Sequence, residues 1–314
     1  MGRIAFVFPG QGVQTPMMGK DFYNNSGDAR YIFQLACEAS KVDVERLCFT
    51  QNDDINITEY TQIALLTTEI AMLNEVMKKG IKPDMCAGLS LGEYAALAAS
   101  GAMEFKDIFE LIRIRGKCMQ EAYPTGGAMM AVLGLETEAV EKICDETEGI
   151  VSIANDNCPG QLVISGEEGP VLAAGEKLIE AGAKRCIRLN VSGPFHSKLL
   201  SPAGDILSEA LMEKTLGNIM IPYVSNTTAK LVTDKSMIKD LLIKQVSSTV
   251  RFRESILLMC QMGVDTFVEI GPGKTIAGFI RKTDRDLKVI NIEKYEDLEK
   301  LDELKQSRRE YVEL

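Results

Sequence analysis

The chain has 314 residues, enough for one large domain or two modest ones with a buried core. Its 46% hydrophobic and 25% charged residues are typical of a folded globular protein and argue against disorder or a fibrous repeat. Lys and Arg number 35 and Asp and Glu 45, so the formal net charge of −10 gives no general basis for binding nucleic acid or an anionic membrane.

The sequence shows no sign of a secretory signal, a membrane segment or a metal site. It begins Met1-Gly2-Arg3-Ile4-Ala5-Phe6, and no uncharged apolar run approaches the roughly 18 residues that span a bilayer, so a cytoplasmic location is expected. The 8 cysteines form no C-x-x-C pair, and we interpret them as small core side chains. His196 is the only histidine, which excludes multi-histidine metal sites, and neither a metal ion nor a cofactor is expected.

The first 125 residues are predicted to combine apolar strands with helices. A short apolar run ends in Pro9-Gly10-Gln11-Gly12, which is typical of a buried strand followed by a turn. Gly88-Leu89-Ser90-Leu91-Gly92 stands between another apolar run and a strongly helical segment, which predicts a strand, a tight turn and a helix. The elements predicted here are strands over residues 3–8 and 83–88 and helices over residues 61–79, 93–99 and 105–121.

A different pattern over residues 126–192 predicts a second, smaller domain. Turn residues at 124–127 and 192–194 flank it and are plausible crossings between domains. The predicted strands cover residues 128–133, 150–154, 161–165 and 184–189, and the predicted helices cover residues 137–146 and 170–181. This βαββαβ order is that of a ferredoxin-like unit. We therefore predict a large core of residues 1–125 and 193–314 and an inserted subdomain of residues 126–192.

The rest of the chain returns to alternating helices and short apolar strands. Strands are predicted over residues 221–225, 266–271 and 288–292, so the expected fold class is α/β with a parallel sheet. The charge-rich residues 295–314 are predicted to form a surface helix. Because no coiled-coil pattern is found, a monomer is expected.

The pentapeptide around Ser90 matches the nucleophile turn of acyl-transfer enzymes, although an ordinary glycine-rich turn has the same pattern. Small residues at Gly88 and Gly92 permit the strained bend that exposes a nucleophilic hydroxyl. A serine hydroxyl is a poor nucleophile unless a base takes its proton, and only His196 offers an imidazole. His196 follows a turn at a predicted domain crossing, where a cleft is expected.

Arg115 occupies an unusual place on the predicted helix of residues 105–121. The polar stripe of this helix consists of Lys106, Glu110, Arg113, Lys117 and Glu121. Arg115 falls instead on the apolar side, with Ile108, Leu111, Ile112 and Met119. An inward-facing guanidinium is costly unless it is paired, so Arg115 requires an internal carboxylate or an anionic ligand, and the alternative is a side chain that extends its charged end to solvent.

The loop Gly10-Gln11-Gly12 invites a dinucleotide-binding interpretation, which the sequence does not support. The third glycine of G-x-G-x-x-G is absent because position 15 is Thr15. The better hypothesis is a loop whose backbone N–H faces the serine turn and stabilises an oxyanion.

Taken in order, six blocks resemble the bacterial malonyl-CoA:acyl carrier protein transacylases. They are Pro9-Gly10-Gln11-Gly12, Gly88-Leu89-Ser90-Leu91-Gly92-Glu93, Arg115, Gly160-Gln161, Pro194-Phe195-His196-Ser197 and Glu269-Ile270-Gly271-Pro272-Gly273. The resemblance implies an α/β-hydrolase-like parallel-sheet core with an inserted ferredoxin-like subdomain. It also implies transfer of a malonyl group from malonyl-CoA to acyl carrier protein in fatty acid biosynthesis.

The resemblance further implies roles for the residues that match the family's motifs. Ser90 is expected to be the nucleophile, His196 the general base and acid, and Arg115 the holder of the free malonyl carboxylate. The backbone N–H groups of Gln11 and Leu91 are expected to form the oxyanion hole.

Four other positions are carried over from the family in the same way. Gln245 is expected to orient the histidine through its main-chain carbonyl, so no acidic third member is required. Asn155 and Asn157 match polar positions at the entrance of the site. Phe195 matches members selective for malonyl over methylmalonyl groups.

The second substrate implied by the resemblance is a small acidic carrier protein, which requires a local basic patch. Lys184 and Arg185 are our candidates for part of this patch, although a solvated strand edge has the same composition. Three alternatives remain: a thioesterase or esterase with the same serine and histidine, a polyketide-pathway acyltransferase, and a silent scaffold. Arg115 disfavours the hydrolase, and the presence of both Ser90 and His196 disfavours the scaffold.

Overall fold

In a computed structural model the chain adopts a mixed α/β fold, and the structure describes residues 2–305. The strands are β1 (Arg3–Phe8), β2 (Met85–Gly88), β3 (Gly127–Leu133), β4 (Val151–Cys158), β5 (Gln161–Glu167), β6 (Arg185–Arg188), β7 (Tyr223–Val224), β8 (Leu231–Val232), β9 (Val250–Arg251), β10 (Val264–Ile270) and β11 (Lys288–Ile292). The helices are α1 (Lys20–Asn25), α2 (Gly27–Ser40), α3 (Val44–Phe49), α4 (Thr58–Lys78), α5 (Gly92–Ser100), α6 (Phe105–Ala122), α7 (Thr137–Asp145), α8 (Glu168–Glu180), α9 (Ser201–Met212), α10 (Ile238–Gln245), α11 (Phe252–Gln261) and α12 (Thr275–Thr283).

The larger sheet has six strands in the order β11-β10-β1-β2-β7-β8. All neighbouring strands are parallel except β7 and β8, which are antiparallel. The central strand β1 is buried from Ile4 to Phe8, as expected for a parallel strand covered on both faces. Parallel pairing brings the carboxyl ends of β1 and β2 to one edge, where the Gln11 and Ser90 loops begin.

The smaller sheet has five strands in the order β6-β3-β5-β4-β9. The strands β6, β3, β5 and β4 are antiparallel to their neighbours, and β9 joins β4 in parallel. Alternation along β3 separates its two faces, because Met130 and Val132 pack beneath α7 and α8 while Met129 and Ala131 line a cavity. The strand β9 lies outside the predicted boundaries of 126–192.

Most predicted elements are observed, with shifted ends. The strand over residues 3–8 has the predicted bounds, whereas the helix predicted over 61–79 begins earlier, at Thr58. The strand predicted over 150–154 continues to Cys158, because β5 pairs with it as far as Cys158 and β9 adds pairs at Asn155 and Asp156. The helices α1, α2 and α3, which contact α4, were not predicted from the sequence.

A surface helix was predicted over residues 295–314, but its described part, residues 295–305, is not confined to the surface. Residues 295–299 form a 3₁₀ turn and helical residues follow to 305, but Leu298, Leu301 and Leu304 are buried in the main core. Apolar residues at this spacing anchor the segment against the core despite its many charges. Residues 306–314 of that prediction lie outside the described residues.

Two further expectations concern cysteines and membranes. The cysteines are free, and five of them, Cys48, Cys86, Cys118, Cys144 and Cys158, are buried. Within residues 2–305 no helix has the length and apolar character required to cross a bilayer.

Candidate active site

Ser90 occupies a tight turn between β2 and α5. Its φ of 52° lies in the left-handed region, which is uncommon for a residue other than glycine and signals a strained, functional backbone. The turn closes this sharply because its flanking residues lack side chains. A Cβ on Gly88 would overlap the backbone of Gly92, and one on Gly92 would overlap the carbonyl oxygens at the end of β1.

His196 lies within hydrogen-bond distance of Ser90. Its Nε2 is 2.7 Å from the Ser90 Oγ, and its Nδ1 is 2.8 Å from the main-chain oxygen of Gln245. A carbonyl oxygen only accepts, so Nδ1 carries the proton and Nε2 of the neutral ring is free to accept from Ser90. Burial and the nearby Arg115 charge lower the pKa of His196 to about 4. The ring is therefore a neutral base at ordinary pH.

Arg115 projects from α6 into the same site and is fully buried, as its place on the apolar stripe predicted. Its Nη1 donates to Gln62 Oε1 at 2.7 Å, and its Nη2 donates to Gln245 Oε1 at 2.9 Å and to Ser90 Oγ at 3.0 Å. None of these acceptors is a carboxylate, and burial lowers the pKa of the guanidinium. A buried cation without a bonded anion at a reactive hydroxyl is suited to an anionic substrate.

These side chains line a cavity of about 620 Å³ between the two sheets. The larger sheet contributes Gln11, Ser90 and Leu91, and the smaller sheet contributes Asn155 and Asn157. No acceptor among the described residues takes the N–H of Gln11 or of Leu91. Both N–H groups are therefore free for the predicted role in stabilising an oxyanion, which stays a prediction.

The remaining predicted residues fall into two groups. Phe195 lines the cavity next to His196 and is 6% exposed. Asn157 is buried, and its Oδ1 has no partner within the protein, so it offers a hydrogen-bond acceptor to a ligand. Lys184 and Arg185 are exposed and do not line the cavity. Arg185 pairs with Leu133 across the sheet and therefore shares the cavity-side face of β3.

Three buried residues of the site received no role from the sequence. Gln62 on α4 accepts from Arg115, Glu93 on α5 accepts from the Gln245 side chain, and Asn226 follows β7 and binds the serine turn. A usable signal existed only for Asn226, because residues after neighbouring parallel strands meet at one edge of the sheet.

Comparisons with known proteins agree with this geometry. The family model described as acyl transferase domain matches residues 5–307. A malonyl CoA-acyl carrier protein transacylase of Bacillus subtilis is 45% identical over 304 residues, covering 95% of this chain and 96% of the relative. The crystal structure of the transacylase of the same name from Clostridium perfringens has a TM-score of 0.94 and 40% identity, covering 99% of this chain and 100% of that one.

A third relative was solved with a partner. It is a malonyl-transacylase in complex with its type II PKS acyl-carrier protein, with a TM-score of 0.91 and 36% identity over 94% of this chain and 97% of that one. The family match and the identity and coverage of these relatives all indicate the same family. The chain belongs to the acyl transferase domain family and, within it, to the malonyl CoA-acyl carrier protein transacylases.

Proposed function

We infer that this chain is an acyltransferase that moves the malonyl group of malonyl-CoA to the phosphopantetheine thiol of acyl carrier protein, a step of fatty acid biosynthesis. The observation that carries this inference is the buried Arg115 guanidinium, 3.0 Å from the Ser90 Oγ and bonded to no described carboxylate. Arg115 would hold the free carboxylate of a malonyl group whose thioester carbonyl lies at Ser90. No cofactor is required by this chemistry.

The first half of the reaction forms a malonyl-serine ester. The Ser90 Oγ attacks the thioester carbon as His196 Nε2 takes the hydroxyl proton, and the N–H groups of Gln11 and Leu91 stabilise the oxyanion. The carbon–sulfur bond then breaks, and His196 returns the proton to the coenzyme A sulfur. The Gln245 carbonyl holds the ring in the required tautomer throughout.

The second half reverses these steps with a new thiol. The phosphopantetheine thiol gives its proton to His196 and attacks the ester carbon, and Ser90 leaves with the proton from His196. Water in place of the thiol would give hydrolysis. Asn155 and Asn157 at the entrance are proposed to bind the amide-containing arm, and Phe195 to disfavour a methylmalonyl group.

Intact mass spectrometry after incubation with malonyl-CoA alone tests the proposal. A stable malonyl adduct on the wild type, absent from Ser90→Ala, is the expected result. Coenzyme A release without an adduct would favour the hydrolase instead. Neither adduct nor release would contradict malonyl transfer altogether.

A polyketide carrier is the second candidate acceptor, favoured by the solved relative in complex with a type II PKS acyl-carrier protein. The chemistry at Ser90 is identical for both carriers. Rates of transfer from the malonyl-enzyme to a fatty acid carrier and to a polyketide carrier distinguish them, and faster transfer to the former is expected.

Lys184 and Arg185 are proposed as part of the docking surface for the carrier protein. Charge reversal of both residues is expected to raise the KM for carrier protein and to leave adduct formation from malonyl-CoA unchanged. Lys142→Glu is the matched control, because α7 packs on the face of the small sheet opposite the cavity. Unchanged transfer in the double variant would remove these residues from the docking surface.

We also propose a domain organisation, a cellular location and an oligomeric state for this chain. The strand order β6-β3-β5-β4 supports a ferredoxin-like subdomain over residues 126–192, inserted into an α/β-hydrolase-like core of residues 1–125 and 193–314. Free cysteines support a reducing compartment, and we propose the cytoplasm. A monomer is proposed, to be tested by light scattering.

A further inference from the structure

The Asn226 side chain spans the strained serine turn. Its Nδ2 donates to the carbonyl oxygen of Gly88 at 2.6 Å, and its Oδ1 accepts from the Ser90 N–H at 2.7 Å. The residue is 0% exposed, so water does not compete for these bonds. One rigid amide thus links both sides of the bend, where Ser90 has its φ of 52°.

Glu93 connects this clamp to Gln245. Its Oε2 accepts from the Asn226 N–H at 3.2 Å and from the Gln245 Nε2 at 2.6 Å, and the residue is 0% exposed. The Gln245 Nε2 also donates to the Ser90 carbonyl at 2.9 Å. A guanidinium only donates, so the Gln245 side-chain amide has one orientation, with its oxygen toward Arg115 and its nitrogen toward Glu93, the pKa of which burial raises to about 7.

The main chain of the same Gln245 accepts the His196 Nδ1–H. One buried residue therefore contacts the nucleophile, the base and the anion-binding guanidinium, and Asn226 and Glu93 hold that residue and the turn in place. We propose that Asn226 and Glu93 are positioning residues for acylation of Ser90, an inference that rests on the proposed malonyl transfer.

Asn226→Ala tests the clamp. It is expected to slow formation of the malonyl-serine adduct on the order of 100-fold, since small displacements of a nucleophile cost about that factor, with little change in the KM for malonyl-CoA. Asn52→Ala is the matched control. Its amide bridges the backbone at Leu47, Thr50 and Ile55, and Asn52 itself does not line the cavity, so its loss should leave the rate unchanged.

The variant Asn226→Asp is expected to make the acylation rate depend on pH in a way that a loss of stability would not. A protonated aspartic acid can accept from Ser90 and donate to Gly88 as asparagine does, whereas an ionised one cannot donate. The ionisable groups near this position are Glu93, which accepts the Asn226 main-chain N–H and whose pKa burial raises to about 7, and Arg115, which donates to the same Gln245 side chain. Burial and the Glu93 carboxyl favour the protonated form of the new aspartic acid, whereas Arg115 favours the ionised form. The ratio of variant to wild-type acylation rate is therefore expected to fall as the pH rises.

Glu93 is tested by two substitutions. Glu93→Ala removes the acceptor for Gln245, while Glu93→Gln retains one and is expected to recover most of the lost rate. Equal damage from both would overturn the positioning role of Glu93.

The outcomes separate this inference from the proposed function. A wild type that forms no adduct with malonyl-CoA contradicts malonyl transfer itself. A wild type that forms the adduct, together with a folded Asn226→Ala that forms it equally fast, overturns the clamp alone. A pH-independent rate ratio for Asn226→Asp overturns it as well, even if the alanine variant does not fold.

Discussion

At the scale of single residues, the proposed base, His196, is kept neutral by burial and has no acidic hydrogen-bond partner among the described residues. The Gln245 carbonyl fixes the tautomer of His196, and desolvation lowers the pKa of the ring to about 4. The group must be neutral to accept the proton of Ser90. Its active form is therefore present above this pKa and is lost as the pH falls through it.

We accordingly expect kcat/KM for adduct formation to stay level from neutral pH downward and to reach half its plateau near pH 4. The measurement is the rate of coenzyme A release against pH, with stability followed in parallel. A fall centred near the ordinary histidine value of 6.5 would contradict the depressed pKa.

Arg115 makes a separate prediction about substrate choice. Arg115→Met should reduce acylation by malonyl-CoA on the order of 100-fold, equivalent to about 3 kcal/mol, because a charge-assisted bidentate contact is lost. Acetyl-CoA has no carboxylate to lose, so its slower reaction should change much less. The ratio of the two rates is the measurement, and an equal loss for both substrates would count against a carboxylate-binding role.

Ser90, His196 and Arg115 could be predicted from sequence because each breaks a local pattern. The sequence alone shows a serine flanked by glycines, a single histidine at a turn and a cationic residue on the apolar stripe of a helix. Gln62 could not be predicted this way, because a glutamine on a helix is ordinary. Asn226 offered only the weaker signal that it follows a strand, and both residues reach the site because α4 and β7 pack beside the turn.

At the scale of elements, the position of α5 depends on a glycine at its first residue. Gly92 lies against the carbonyl oxygens of Phe8 and Pro9, so β1 and α5 approach each other backbone to backbone. This contact sets the distance between the Gln11 loop and Leu91.

Gly92→Ala is expected to lower the free energy of unfolding by about 1–3 kcal/mol through overpacking, and to slow acylation by separating the two N–H groups. Gly169→Ala is the control, since a Cβ at this position of α8 meets no atom and should be neutral or slightly stabilising. Urea unfolding and adduct formation provide the two measurements. A Gly92→Ala variant as stable and fast as the wild type would contradict the close approach.

Helices and strands could be predicted where the pattern of apolar residues was strong, and their ends were harder to predict where pairing with another strand determined them. The buried run of β1 has the bounds that its apolar residues predict. The extension of β4 runs through the polar residues Asn155 and Asp156, which pair with both β5 and β9, so its composition resembled a turn and not a strand. The buried leucines of residues 295–305 were also not predicted, because the charged residues between them obscure their apolar spacing.

At the scale of the whole molecule, the buried carboxyl groups of Glu69 on α4 and Glu269 on β10 lie close enough to interact electrostatically. Glu269 on β10 accepts from the N–H groups of Ile276 and Ala277 at the start of α12, while both oxygens of Glu69 on α4 lack a partner. Burial and the Glu269 charge raise the pKa of Glu69 well above 4.5. Glu69 therefore takes up a proton when the chain folds above that pH.

A group whose pKa is raised by folding costs stability as the pH rises above its unfolded value. Glu69→Gln removes this cost, so its free energy of unfolding should exceed that of the wild type at pH 8, with the difference shrinking toward pH 4.5. The slope is expected to be about 1.4 kcal/mol per pH unit while the folded group remains protonated. Unfolding at several pH values, with the exposed Glu209→Gln as control, provides the measurement, and a pH-independent difference would contradict it.

The place of β1 at the centre of the larger sheet has a consequence for biosynthesis. Translation produces β1 long before one of its two neighbours, β10, which spans residues 264–270. Until β10 is made, the nascent chain carries an apolar strand with one unpaired edge, and the Gln11 loop lacks a neighbour on that side. The site therefore forms only after residue 270 has left the ribosome, and before that point the unpaired edge of β1 exposes the chain to aggregation.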